Sequence, residues 1–205
     1  MNKEVIPYGK HFIDDHDIEA VIDVLKNHPL TQGHFVTSFE EEVAKFVGAK
    51  FAVAMSSWTA GLHMACLAAG VEKKDLVATS PITFVASSNS AFYCQAQPIF
   101  SDINEQTINM CTSELDKTLK ENKSVKVVIP VHFAGLPCDM KSIKEIADKN
   151  GSLIIEDAAH ALGAKYSCGS KVGSCKYSDM TGFSFHPVKS CLLYTSDAAD
   201  EKYRG

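Results

Sequence analysis

The run Leu153-Ile154-Ile155-Glu156-Asp157 constrains this chain more than any other stretch. A continuous apolar run has no side suited to water, so as a strand it must be buried on both faces, as in a parallel sheet covered by helices. Its carboxylates come at the C-terminal end, and open α/β sheets bind their ligands outside that edge. Asp157 is therefore the candidate acid of a site. An aspartate after a strand also serves as the N-cap of a following helix, and taken alone that is the commoner role.

Other segments repeat the pattern. Phe51 to Met55, Leu76 to Thr79, Gln97 to Ser101 and Val125 to Val131 read as further strands. Between them lie stretches of helical spacing: Asp14 to Leu25 with Ile18, Val21, Ile22 and Leu25 on one face, Ser38 to Val47 with Ser38 as cap and Gly48 as stop, the apolar helix running to Ala69, Ser113 to Glu121, and Met140 to Lys149. This alternation implies an α/β fold with a mostly parallel sheet and helices on both faces.

Composition narrows the functional classes. The 205 residues carry a net charge of −5 and are 45% hydrophobic, enough for a sizeable core. With no basic tract, no nucleic-acid partner is expected. With no bilayer-length apolar run and no signal peptide, no membrane partner and a cytoplasmic location are expected. The seven cysteines form no C-x-x-C pair, which points to reduced thiols rather than zinc or disulfides. No G-x-G-x-x-G or G-x-x-x-x-G-K-[ST] occurs, so the usual dinucleotide and P-loop signatures are missing.

Three stretches carry candidate chemistry. Gly182-Phe183-Ser184-Phe185-His186-Pro187-Val188-Lys189 sets a lysine just past a short apolar run, where a buried strand would end. In partly apolar surroundings a lysine loses its proton more readily, and the neutral amine is a nucleophile towards aldehydes such as pyridoxal phosphate. Such a cofactor needs an acid on its pyridine nitrogen, which Asp157 could supply. Ser56-Ser57-Trp58-Thr59-Ala60-Gly61 leads from a strand into a helix, and a small-residue turn at a helix start offers backbone N–H groups to a phosphate. Ser80-Pro81-Ile82-Thr83-Phe84 delivers an aromatic ring to the start of the next helix. As isolated residues, Phe84 reads as core and His132 as a satisfied buried histidine.

Together, Glu156-Asp157-Ala158-Ala159-His160 and Phe183-Ser184-Phe185-His186-Pro187-Val188-Lys189 resemble the DegT/DnrJ/EryC1/StrS family of sugar aminotransferases, with similarity from Ile6 to Lys189. The Leu30-Thr31-Gln32-Gly33 loop resembles a family element near the nucleotide-sugar site. The resemblance implies a truncated fold-type I pyridoxal-phosphate transferase large domain. It implies Lys189 and Asp157 as catalytic residues. Thr59, Ala60 and Ser184 would hold the phosphate, Phe84 would stack on the ring, and His160 would flank it. Within the family the chain is most similar to enzymes that aminate a UDP-linked 4-keto-6-deoxy-N-acetylhexosamine on the way to pseudaminic acid. Glutamate is the expected amino donor and a homodimer the expected assembly.

Two departures stand out. Trp58 replaces the glycine common before the phosphate-binding threonine. After Lys189 the sequence leaves the family's glycine-rich pattern, so residues 1–190 read as the N-terminal part of the large domain and 191–205 as a non-native tail. The isolated chain is then expected to be inactive, and a catalytically incomplete fragment or binding module is the rival reading. A pyridoxal-dependent sugar dehydratase of the same family is a second rival. Its members carry histidine at the lysine position, which Lys189 does not match.

Overall fold

The computed structural model describes residues 13–31 and 33–189. Helices α1 (Asp15–Asn27), α2 (His34–Val47) and α3 (Trp58–Ala68) lead into an alternation of β1 (Leu76–Thr79), α4 (Ala86–Tyr93), β2 (Gln97–Phe100), α5 (Thr112–Glu121), β3 (Val125–Ile129), α6 (Met140–Asn150), β4 (Leu153–Asp157) and β5 (Met180–Gly182). The five strands form one sheet in the order β2-β1-β3-β4-β5, and every pairing in it is parallel.

Side-chain alternation along the central strands splits the core into two layers. On one face Val77, Val127, Ile129 and Ile155 pack with Leu62 and Cys66 of α3 and Ala91 of α4. On the other, Ala78, Val128 and Ile154 pack with Leu115 and Leu119 of α5 and Met140, Ile143 and Ala147 of α6. Full burial of each large aliphatic side chain contributes about 1.5–3 kcal/mol, so the sheet centre is the most stable part of the molecule. Helices on both faces of a parallel sheet agree with the sequence expectation.

Local sequence sets the helix ends. Asp14 caps α1 through a reciprocal box with Asp17. Gly48 ends α2 in the left-handed region at φ 81°, where a side chain would be strained. Strand α/β crossovers then return the chain so that all five C-terminal strand ends share one edge of the sheet.

Several expectations are corrected. Phe51 to Met55 is not a strand: it pairs with no other strand among the described residues, and Phe51 and Val53 are 76% and 72% exposed. A strand needs a ladder, and here the Ala54 N–H donates instead to Glu40 Oε1 on α2 at 2.7 Å. Helix α2 starts at His34 with Gly33 as N-cap, which leaves Ser38 inside it. Helix α1 forms as expected, while among the described residues its apolar face stays open, with Ile18, Val21, Ile22 and Leu25 exposed. Strand β5 ends at Gly182, well before Lys189, which sits after a turn. The arm at 6–10, Gln32 of the Leu30–Gly33 loop and the 191–205 tail lie outside the described residues. No described helix is long and apolar enough to cross a membrane.

Candidate active site

Strand β4 presents its two carboxylates to opposite faces, as strand alternation requires. Asp157 faces the α3 and α4 side. Its backbone is fixed by the continuation of β3, with its N–H donating to Pro130 O at 2.9 Å and its carbonyl accepting from His132 N at 3.1 Å. Its side chain is 4% exposed. Oδ2 accepts from Ser87 Oγ of α4 at 2.7 Å, and Ser87 in turn meets Thr83 Oγ1 at 2.8 Å. Oδ1 accepts from Trp58 Nε1 at 2.9 Å and from Ala159 N at 3.3 Å. A turn rather than a helix follows Asp157, so it is not an N-cap.

Glu156 faces the α5 and α6 side and is fully buried. It accepts from His132 Nε2 at 2.6 Å, Tyr166 OH at 2.6 Å and Thr181 Oγ1 at 3.1 Å, and from Ser178 Oγ. The Cys138 N–H donates to His132 Nδ1 at 3.0 Å, which assigns the ring hydrogen to Nε2 and points it at Glu156. Burial alone would raise the Glu156 carboxyl, but the hydrogen bonds from His132, Ser178 and Tyr166 outweigh it and hold the group below its ordinary range. The reading of His132 as a satisfied buried histidine is therefore correct.

At the same sheet edge as Asp157, Lys189 reaches His160, with Nζ 2.5 Å from Nε2. His160 follows Asp157 by one short turn, so the acid, the imidazole and the amine converge. Burial and the Lys189 charge lower the His160 pKa, and the Asp157 carboxylate opposes them. An uncharged His160 is an acceptor for the lysine amine.

The phosphate residues are placed less tightly. Ser57 caps α3 by accepting from Ala60 N at 3.1 Å, so that N–H is already engaged, while Thr59 is half-buried beside it in the first turn. Ser184 accepts from His186 N at 3.4 Å. Phe84 stands free of the other rings at 71% exposure, so it is an exposed side chain and not a core one.

Sequence reasoning missed two partners of Asp157, Trp58 and Ser87. Both approach from helices far away in the chain, and nothing local marks the contact. Glu156 was identified only as part of a motif, although its alternation with Asp157 already required that it face the other way. Among the described residues no group of three or more His, Cys, Asp or Glu side chains could hold a metal ion.

The residues fit pyridoxal phosphate by the chemistry of the donor set. A buried carboxylate already takes an aromatic ring N–H from the first residue of a helix, and an amine sits near the same strand end.

Comparison with known proteins agrees. The spore coat polysaccharide biosynthesis protein SpsC of Bacillus subtilis is 40% identical over 185 residues, covering 90% of this chain and 46% of that protein. A UDP-4-amino-4,6-dideoxy-N-acetyl-beta-L-altrosamine transaminase of Campylobacter jejuni is 37% identical over 195 residues, covering 95% of this chain and 50% of the relative. Spr1654 of Streptococcus pneumoniae, solved in a PLP form, superposes with a TM-score of 0.84 and 29% identity over 90% of this chain and 50% of that one. The chain thus spans about half the length of the curated relatives it matches. The DegT/DnrJ/EryC1/StrS aminotransferase family model matches residues 11–196, and the chain belongs to that family, whose cofactor is pyridoxal phosphate.

Proposed function

We propose that this chain carries the cofactor-binding half of an aminotransferase that moves an amino group from an amino-acid donor, glutamate being the expected one, to a nucleotide-linked 4-keto-6-deoxy sugar. The observation that carries this reading is the convergence of Asp157, His160 and Lys189 at one strand end. The nucleotide-sugar transaminase among its relatives supports the substrate class.

Bound pyridoxal phosphate supplies an electron sink that stabilises negative charge on the carbon losing a proton. Asp157 would keep the proton on the ring nitrogen, because a carboxylate held by Ser87 and the 159 backbone stays in one orientation. Lys189 would attach the cofactor and, once displaced by the donor amine, carry the proton between donor carbon and cofactor carbon. His160 would receive a hydrogen bond from the Lys189 amine and fix its position. Thr59, Ala60 and Ser184 would hold the phosphate. Phe84, free to turn, would cover the ring face. Pairing two chains would complete the site, and a homodimer is the proposed assembly.

The test is optical and chemical. The full-length protein mixed with pyridoxal phosphate should gain a visible band that borohydride fixes onto Lys189. Amino transfer from glutamate to a UDP-4-keto sugar should follow. An unchanged band in Lys189→Ala would overturn the assignment.

A further inference from the structure

Trp58 lies across the path that the cofactor must take. It is the first residue of α3, next to Thr59 and Ala60 at the proposed phosphate turn, and its indole N–H ends on Asp157. One side chain therefore spans from the phosphate end of the site to the acid that should receive the ring nitrogen. A pyridoxal ring with its phosphate on that turn has to cover the same span.

The ring is seated and not merely passing. A Cβ at Gly182, the last residue of β5, would come within 1.8 Å of Trp58 Cη2, and one at Gly61 within 2.5 Å of Cε3. These two glycines form a flat shelf under the indole, which also packs against the core layer beside Leu153 and Met180. The residue as a whole is half-buried.

Asp157 has little acceptor capacity left. A carboxylate offers about four acceptor positions. Oδ1 is filled by Trp58 and Ala159, and Oδ2 takes Ser87. The group is 4% exposed, so a second ring N–H cannot approach from open solvent. Indole and protonated pyridine are both flat rings with an in-plane N–H suited to the same carboxylate oxygen, the pyridinium adding a positive charge that the indole lacks.

We propose that Trp58 is a gate on the cofactor site: the indole N–H and the pyridinium N–H compete for Asp157, and the ring binds only when the indole leaves the Gly61–Gly182 shelf. This rests on reading the site as a pyridoxal phosphate site. The gate makes loading weaker than the donor set alone would give, and it keeps the Asp157 carboxyl oriented before the cofactor arrives.

The experiment has two arms on the full-length protein. Trp58 is the single tryptophan of these 205 residues, and subtracting the emission of Trp58→Phe isolates its signal in the full-length protein. Without added cofactor, Gly182→Ala must displace the indole and shift the emission to the red, towards that of a water-exposed ring. An unshifted spectrum in a folded Gly182→Ala protein would overturn the seating. In the second arm pyridoxal phosphate is titrated and followed by visible absorbance. Trp58→Phe keeps the bulk but loses the N–H, and Trp58→Gly clears the shelf. Each should bind the cofactor more tightly than wild type, by about tenfold for loss of one hydrogen bond to a charged group. Equal or weaker binding by both variants overturns the gate while leaving the cofactor reading intact. Binding by neither the variants nor wild type overturns both.

Discussion

Glu156 and Asp157 are adjacent on one strand and live under opposite rules. Glu156 is sealed beneath α5 and α6 with every nearby donor pointed at it, from His132, Tyr166, Ser178 and Thr181. Asp157 is nearly as buried, yet its partners are of another kind: a half-buried indole, a buried serine hydroxyl and one longer backbone contact. A carboxylate whose donors are all locked into the core is part of the scaffold. One that has a half-buried indole among its donors is, on the gate proposed above, available for exchange. Strand alternation puts the anchor and the reagent one residue apart, so the anchor fixes the backbone that aims the reagent.

The largest expected effect is on the anchor. Glu156→Ala strips the acceptor from a buried cluster and should cost about 3–5 kcal/mol of stability, read as a lower urea midpoint. A loss below about 1 kcal/mol would mean that the cluster is bridged some other way. Asp157→Asn should instead leave the urea midpoint close to wild type. Its amide oxygen can still accept from Trp58 and its NH2 can donate to Ser87 Oγ, but a neutral amide cannot hold a pyridinium proton. The half-reaction with glutamate should then slow by about a hundredfold or more. A wild-type rate for Asp157→Asn would erase the distinction between the two carboxylates.

Acid should separate them more gently. The folded Glu156 carboxyl lies below its ordinary value of 4.5, so it contributes stability that is present above that pH and is lost as pH falls through the folded value. Urea midpoints measured downward from pH 5 should decline in wild type and in Asp157→Asn alike. Glu156→Gln should flatten that decline. A slope that survives in Glu156→Gln would move the acid sensitivity to other carboxylates.

The same contrast explains what the sequence could reveal. β4 was legible because an unbroken apolar run admits one environment, and the lysine and acid were legible because cofactor chemistry demands both types. The layers of helices followed from periodicity. Phe51 to Met55 failed because apolar content does not supply a partner strand, and its alternation leaves Phe51 and Val53 facing water. Helix α1 was legible from the same periodicity, which sets an apolar face without saying what it packs against. The Trp58–Asp157 contact was invisible: it joins positions 99 residues apart through a side chain that replaces an expected glycine.

The smallest effect is on reactivity, and it probes the anchor without mutating it. Cys138 belongs to the Glu156 cluster, with its N–H on His132 and its thiol donating to Val131 O at 3.1 Å. Burial pushes that thiol up to about 12. Cys168 lies exposed on the hairpin beyond Tyr166, where hydrogen bonds from Tyr177, Ser170 and Lys176 bring its thiol down to about 6. Only the thiolate reacts with an alkylating agent, so at neutral pH, among the described cysteines, Cys168 should be modified first and Cys138 last. Labelling Cys168 should leave the urea midpoint unchanged, because its partners are at the surface. Cys138 can react only when the cluster opens, so its labelling rate reports local opening of the Glu156 side. In Asp157→Asn that rate should stay at the wild-type value, and in Glu156→Gln it should rise. A faster Cys138 in Asp157→Asn would show that the two faces of β4 open together, and the separation of anchor from reagent would fail.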